Sequence, residues 1–577
     1  MTLKLDEKRL EILNTLRHGL VLGGPGSGKT TLALLKAERR IEEGLEPGQA
    51  VLFLSFSRAA VARIAEAMKR NLSPEKRANL HIKTFHSFFW EILRTHGYLL
   101  GAPRQLSIVL AHEEKSLRGG IDTGDPGWAE WELERLRLFR EEGRMCFDLF
   151  APLMAELFAR AHGIRDRVAA RYPLILVDEA QDTGQMQWEC TKALAERSQV
   201  ICLADLDQLI FDHLPGVGPE RLDHIRAALI PLEIDLGSDN NRSPGTEIAI
   251  FARDVLNGAV RGSAYKNVSR MRFAPQTAER DRTIRQSVGI VARAVREAKG
   301  KAPESIALIA SYSSGVAILS AALRQQKPIP HQVLFDEAFV LLASRVGAFL
   351  LEPRSPDRRQ DIAVLLDLVA DAYRAKGGKS WLSRAKTVSA WAVKTRLGNP
   401  PKTNFVSAVD ALLQAIGQKQ KGHTGNPPRD WIGVKRELRA SGDSELESVA
   451  AALDYLVAFN RGERIAANLS ELWVKGGSYA GARQALDAAL MQEQLISGGE
   501  ALNGIHVMNM HKCKGKQFDG VVLYRAQHSS PFVWPNDPPP HPKSRKVLHV
   551  AITRARYHVL VIDEAISDCP ILDPYTL

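Results

Sequence analysis

Residues 21–31, Val21-Leu-Gly-Gly-Pro-Gly-Ser-Gly-Lys-Thr-Thr31, have the types and spacing to hold phosphate. They fit G-x-x-x-x-G-K-[ST], with Gly23, Gly28, Lys29 and Thr30 in the fixed places. Glycines let the backbone wrap tightly, so that successive N–H groups can point inward at phosphate oxygens. Lys29 adds a point charge near the β/γ-phosphates, and the Thr30 hydroxyl can ligand Mg²⁺. The candidate cradle runs through Gly23, Gly24, Pro25, Gly26, Ser27, Gly28, Lys29, Thr30 and Thr31. A second chemical pair lies well downstream: Asp178-Glu179 ends the apolar run Pro173-Leu-Ile-Leu-Val177. Asp178 there would hold Mg²⁺, and Glu179 would orient and deprotonate an attacking water. Gln208, at the end of another apolar run, could sense the γ-phosphate. A P-loop and a strand-end carboxylate pair together imply ATP and Mg²⁺.

These residues need a sheet to hold them. Gly19 to Gly23 reads as a buried strand, and a helix is expected from about Thr31, its positive N-terminus facing the anion. A short amphipathic helix is expected over 5–17. Strands are expected at Ala50–Ser57, His81–Ser87, Tyr172–Asp178 and Gln199–Gln208, with a helix over Arg58–Arg70. Strands alternating with helices predict an α/β fold with a parallel, doubly wound sheet. Residues 89–146 break the pattern and read as a mainly helical insertion. A second parallel sheet is expected from Glu304–Ala310, Ile505–Asn509 and Gly520–Tyr524, with a helix at Val316–Gln325. The Pro/Arg stretch Glu352-Pro-Arg-Ser-Pro-Asp-Arg-Arg359 opens a second helical insertion that closes near Gly498-Gly499.

Bulk properties narrow the class. The 577 residues suffice for several domains, at 45% hydrophobic and 25% charged. No apolar stretch approaches the roughly 18 residues of a membrane span. The charged N-terminus does not read as a signal peptide. Cys146, Cys190, Cys202, Cys513 and Cys569 are scattered without a C-x-x-C pair, which argues for a reducing cytoplasm and against a structural zinc or iron–sulfur cluster. Between Arg374 and Arg439 stand 14 lysines and arginines against Asp410, Asp430 and Glu437, an excess equal to the +11 of the whole chain. Trp381, Trp391 and Trp431 lie in the same segment. Basic residues interleaved with aromatics can hold a phosphate backbone and stack bases; the plainer reading is a solvated basic face over core tryptophans.

The ordered set of motifs resembles the UvrD/Rep-like superfamily 1A DNA helicases. Lys29-Thr30 match their first motif, Ser55-Phe-Ser-Arg-Ala-Ala60 and Thr84-Phe-His-Ser87 two that follow, and Phe147-Asp-Leu-Phe150 the segment where the chain re-enters the first motor. Asp178-Glu-Ala-Gln-Asp182 is similar to their Walker B, and Ala204-Asp-Leu-Asp-Gln-Leu-Ile-Phe211 to the motif coupling ATP to DNA. Asn240-Asn-Arg-Ser243 resembles the motif that carries an arginine finger, here Arg242. Val507 to Asp519 resembles the histidine-lysine-glycine motif, and Arg545 to Arg556 the last motif, with Arg554 as second finger. The resemblance implies two RecA-like parallel-sheet motor domains, each interrupted by a helical insertion. The expected bounds are 1–88 and 147–232 for the first motor, 89–146 for its insertion, 233–352 and 500–577 for the second motor, and 353–499 for the basic insertion. It implies a motor on single-stranded or tailed duplex DNA, moving 3′→5′. Ser55, Phe56, Thr84, Phe85, His86, His213 and His511 are then the candidate DNA contacts, with Phe56, Phe85 and His213 stacking on bases. For Phe56 and Phe85 the alternative is strand core.

Several positions depart from the family pattern. Arg9 stands where a glutamine reads adenine, Asn241 where a tyrosine stacks on it, and Gln517 where a glutamate meets the ribose. Asn509 replaces a threonine and Ala204 a glycine. Arg9 and Gln517 are therefore the altered base- and ribose-facing candidates. With the sequence ending at Leu577, soon after Arg556, a nuclease is expected on a separate chain if one is needed. Two other readings stay open: the helicase subunit of an anti-phage assembly similar to Gabija systems, and a DNA-stimulated ATPase that senses or remodels without unwinding. A binding module without catalysis is disfavoured by the intact Lys29, Glu179, Gln208, Arg242 and Arg554.

Overall fold

The structure is a computed structural model. It describes residues 5–56, 58–71, 73–211, 216–237, 239–325, 327–334, 338–376, 379–454, 463–495 and 502–577. In chain order the strands are β1 (Gly19–Leu22), β2 (Val51–Ser55), β3 (Leu80–Thr84), β4 (Ser107–Val109), β5 (Arg144–Cys146), β6 (Leu174–Val177), β7 (Gln199–Ala204) and β8 (Leu232–Asp235). There follow β9 (Val268–Phe273), β10 (Ser305–Ala310), β11 (Gln332–Leu334), β12 (Gly504–Asn509), β13 (Phe518–Arg525) and β14 (Ala555–Glu564).

Contacts divide the chain into two units. The first comprises Met1–Leu93, Ala151–Leu334 and Ser497–Leu577. It holds two six-stranded sheets, ordered β3-β2-β6-β7-β1-β8 and β11-β12-β10-β13-β14-β9, with every pairing parallel. Parallel strands are covered on both faces and so read as continuous apolar runs. Leu174-Ile-Leu-Val177 and the second-sheet run Ile306 to Ala310 are almost fully buried. These are RecA-like sheets, and the parallel α/β class expected from the sequence holds for both.

Three expectations need correction. The strand β8 belongs to the first sheet, pairing Gly19–Leu22 with Leu232–Asp235, so that sheet ends beyond residue 232. Strands β9 and β14 extend the second sheet; β14 (Ala-Arg-Tyr-His-Val-Leu-Val-Ile-Asp-Glu) runs straight on from the last motif. The helix after the P-loop starts at Lys29, earlier than expected, because Gly28 supplies the left-handed residue (φ 93°) that turns the chain into it.

The second unit is Arg94–Phe150 with Phe335–Ile496. The two insertions form one body instead of two. The short helix Ala111–Leu117 packs on the helices Ala338–Leu351 and Arg358–Lys376, and Ser116 Oγ donates to Asp371 Oδ1 at 2.9 Å. The helix Ala338–Leu351, expected in the second motor, lies here. The three tryptophans of the basic segment each pack against the helical body, to different depths. Trp431 is buried, Trp381 lies 5.0 Å from the Tyr373 ring, and Trp391 lies against Phe405. Trp431 thus fits the plainer reading as a core residue, while Trp381 and Trp391 are half-buried, with Lys376 and Arg384 over their rings.

Candidate nucleotide and DNA site

In a parallel sheet the loops that follow the strands gather at one edge. The P-loop follows β1, Asp178 follows β6 and Asp205 follows β7, and β1, β7 and β6 are consecutive neighbours. The topology thus brings together side chains that are far apart in the sequence. The P-loop turns on Gly23, Gly26 and Gly28, all at positive φ. At Gly26 even a Cβ would crowd the Arg242 backbone nitrogen at 3.2 Å, so the loop is packed for glycine by the finger-bearing segment itself. Asn241 adds its backbone N–H and its amide to the Gly26 carbonyl, at 2.9 and 3.1 Å.

Lys29 Nζ donates to the Gly23 carbonyl, to the Gly24 carbonyl at 3.0 Å, and to Asp205 Oδ2 at 3.2 Å. The same Asp205 oxygen accepts from Gln208 Nε2 at 2.6 Å. Gln208 Oε1 accepts from Arg554 Nη2 at 2.7 Å. One hydrogen-bonded chain therefore runs from the P-loop lysine to an arginine of the second sheet. Arg554 is 1% exposed and also donates to the Val550 carbonyl and Thr553 Oγ1. Arg242 Nη1 donates to the Thr553 carbonyl at 2.9 Å, so both finger candidates meet at residues 553–554.

Glu179 sits at φ 54°, a left-handed conformation that a non-glycine residue adopts at a cost of order 1–3 kcal/mol. The turn Ala180–Asp182 holds it, and Gln181 Nε2 donates to Glu179 Oε2 at 2.6 Å. Gln181 Oε1 in turn accepts from the Asp205 backbone N–H at 3.0 Å. Asp205 and Gln181 were missed as site residues. Their signal was present in their motifs, but a hub is defined by partners distant in sequence. Burial pushes the carboxyl of Asp182 up, against the opposing pull of Lys514, with which it is paired.

Thr30 lies half-buried in the first turn of the helix Lys29–Glu42, while Thr31 is exposed; Asp178 is 3% exposed at the end of β6. A hydroxyl and a carboxylate are the hard oxygen donors that Mg²⁺ takes alongside water and phosphate. Among the described residues no group of three or more His, Cys, Asp or Glu could hold a metal by itself. The donor set therefore fits an ion shared with a nucleotide.

The altered base-facing positions are occupied by protein contacts. Arg9 is 4% exposed; its guanidinium pairs with Asp6, donates to Asp239 Oδ2 at 2.8 Å and to the Ser27 carbonyl at 3.3 Å. Lys36, itself buried, donates to the Leu13 and Thr15 carbonyls and pins the Arg9-bearing helix Glu7–Asn14 to the P-loop helix. Gln517 Oε1 accepts from Arg556 at 3.1 Å.

The DNA-facing set divides. Phe85 is 1% exposed, its ring 5.8 Å from Phe89, and belongs to the core. Thr84 Oγ1 accepts from the Ser87 N–H at 3.1 Å and closes the first turn of the helix Phe85–His96. Ser55 is fully buried. These three do not present a stacking or phosphate-facing surface: Thr84 and Phe85 sit at the buried junction of β3 with the helix, and Ser55 ends the neighbouring strand β2, paired with Thr84. His86 is half-buried. Phe56, also half-buried, lies 5.2 Å from Phe211, and His511 stacks on Trp534 at 5.7 Å. His213 lies outside the described residues.

With two RecA-like sheets and a P-loop lysine linked through Asp205 and Gln208 to Arg554 beside the second sheet, the chain has the build of a two-sheet P-loop protein. The comparisons agree. A family model described as an AAA domain matches residues 11–213. The chain is 27% identical over 252 residues to DNA helicase II of Haemophilus influenzae, covering 36% of this chain and 34% of that one. It is 22% identical over 251 residues to the ATP-dependent DNA helicase PcrA of Leuconostoc citreum (37% and 34%). It is 25% identical over 264 residues to the ATP-dependent DNA helicase Rep of Escherichia coli (39% of each). The matched stretches span about a third of these relatives' own lengths. Over those stretches the chain is similar to helicases of the UvrD/Rep type.

Proposed function

We propose that this chain is an ATP- and Mg²⁺-dependent motor on single-stranded DNA, a helicase or translocase of 3′→5′ polarity. The observation that carries it is the run Lys29–Asp205–Gln208–Arg554, which ties the P-loop of the first sheet to an arginine of the second. ATP would take the Lys29 ammonium from Asp205 and the two loop carbonyls. Thr30 and Asp178 would hold Mg²⁺, which neutralises phosphate charge when bound. Glu179, preset by Gln181, accepts the proton of the attacking water, and Arg242 and Arg554 neutralise the charge that grows on the γ-phosphate. Gln208 touches both sides, so loss of the γ-phosphate loosens one sheet from the other, a hinge step. Phe56 and His511, each already beside an aromatic ring, are the side chains to stack on bases. The bodies of the two sheets act as the motor domains, in the cytoplasm.

The test is strand displacement with ATP and Mg²⁺ on duplexes bearing a 3′ or a 5′ single-stranded tail, beside Glu179→Gln. Displacement of the 3′-tailed duplex alone, absent in the variant, supports the reading; displacement of the 5′-tailed duplex alone reverses the polarity. A second reading, an ATPase that senses DNA without unwinding it, draws on Arg9, whose carboxylate partners occupy it where the family places a base-reading amide. Strong hydrolysis on single strands with no displacement on either tail would favour it. Copurification of a nuclease chain would favour the anti-phage assembly.

A further inference from the structure

We propose that Lys514 is a positioning residue that conveys the state of the Phe56–Phe211 ring pair to the Gln208–Arg554 arm of the nucleotide site. The proposal rests on the reading of a DNA-stimulated ATPase. Lys514 follows the short turn His511–Cys513 of the second sheet and is 6% exposed. Gly515, at φ 76°, fixes the chain direction just after it. An ammonium has three donor directions. Two go to the first sheet, to the Asp182 carboxylate and the Gln208 carbonyl. The charge also lies 5.0 Å from the centre of the Phe211 ring, and Phe211 lies 5.2 Å from Phe56.

One side chain thus touches the turn after the Asp-Glu pair, the backbone of the γ-phosphate sensor, and the aromatic pair. Asp182 is fully buried, so the ammonium cannot leave it without stranding a charge. It can instead pivot on that carboxylate. A base stacking on Phe56 displaces Phe211, and the ammonium loses the ring face that holds it on one side. The contact that yields is the one to the Gln208 carbonyl, and the Gln208 side chain bonds both Asp205 and Arg554. Movement there re-aims the finger. Nothing in the spacing of the motif singles out Lys514; its role comes from contacts with segments in the first half of the chain.

The experiment measures ATP hydrolysis with and without saturating oligo-dT for wild type, Lys514→Met, Lys514→Arg and Phe211→Leu, with melting curves for each. Lys514→Met lacks the contact to Gln208 with or without DNA, so its DNA-free hydrolysis should rise about tenfold or more toward the stimulated rate and DNA should add little, the size of an ordinary coupling between sites. Lys514→Arg, which keeps charge and donors, should restore most of the stimulation. Phe211→Leu, which keeps the ion pair but removes the ring, should lose stimulation as Lys514→Met does. Unchanged stimulation in a folded Lys514→Met overturns the proposal, as does an equal fall of DNA-free and stimulated rates. If Lys514→Met does not fold, Phe211→Leu decides, and wild-type stimulation there overturns it. Wild-type protein that hydrolyses ATP without any response to DNA would instead refute the motor reading.

Discussion

Removing the two arginines proposed as fingers, singly and together, probes the site where its geometry is most specific. Arg554 reaches Gln208 Oε1 at 2.7 Å, and Arg242 holds the carbonyl of the preceding residue, Thr553, at 2.9 Å. An arginine finger contributes on the order of 10³–10⁵ in rate, or about 4–7 kcal/mol at ~1.36 kcal/mol per decade. Independent fingers would multiply, giving a loss of about 10⁶ or more in the double variant. Here Arg242 grips the segment that aims Arg554, so Arg242→Ala also disturbs its neighbour. The double variant should therefore be within about tenfold of the slower single variant, as for residues that act as a unit. Single-turnover hydrolysis with saturating ATP and single-stranded DNA measures this. Gln208 loses a buried partner in Arg554→Ala, a cost of about 1–3 kcal/mol, so melting curves must show each variant folded at the assay temperature. Losses that multiply, or an Arg554→Ala rate within about tenfold of wild type, would refute the reasoning.

Phe85→Ala should destabilise the fold by about 3–5 kcal/mol while the folded protein needs no more DNA for half-maximal stimulation. Phe56→Ala should raise that DNA requirement by about 5- to 150-fold, the value of one lost stack, and melt near wild type. Glu179→Gln should abolish hydrolysis yet keep the rise in melting temperature on adding ATP and Mg²⁺, since the carboxylate acts on water and not on the phosphate cradle. His112 supplies a pH test in the second unit. Burial, with Arg345 adding to it, pushes its imidazole down to about 4 from an ordinary value near 6.5. Above pH 6.5 it is neutral folded and unfolded, so its full contribution is present. Between pH 6.5 and 4 only the unfolded chain gains the proton, and stability falls by up to about 3 kcal/mol. His112→Met should flatten that part of the pH–melting curve; an unchanged slope would place the titration elsewhere.

The P-loop and the Asp178-Glu179 pair were legible because their chemistry is local: glycine at fixed places, carboxylates at a strand end. The two parallel sheets were legible for a similar reason, as apolar runs covered on both faces. What periodicity does not encode is which distant segments meet. The joining of 94–150 with 335–496 depends on the helix Ala111–Leu117 finding its partners far along the chain, in Ala338–Leu351 and Arg358–Lys376. Asp205 and Gln181 looked like ordinary polar residues of their motifs, and only the sheet order makes them the hub between Lys29, Glu179 and Gln208. Phe85 shows the opposite failure. A motif beside DNA-facing residues suggested exposure, but the strand–helix junction turns its ring into the core. Arg9 stands at a base-facing position of the motif pattern; its pair with Asp6 is local to the helix start, but its contact with Asp239 is a tertiary fact that a position in an amphipathic helix does not contain.

The most direct test is ATP hydrolysis with no DNA, with single-stranded DNA and with blunt duplex, at two salt concentrations, beside Lys29→Ala. A DNA motor requires strong stimulation by the single strand, weaker at the higher salt because phosphate contacts release counterions, and none in the variant. Hydrolysis that ignores DNA, or that survives Lys29→Ala, would contradict it.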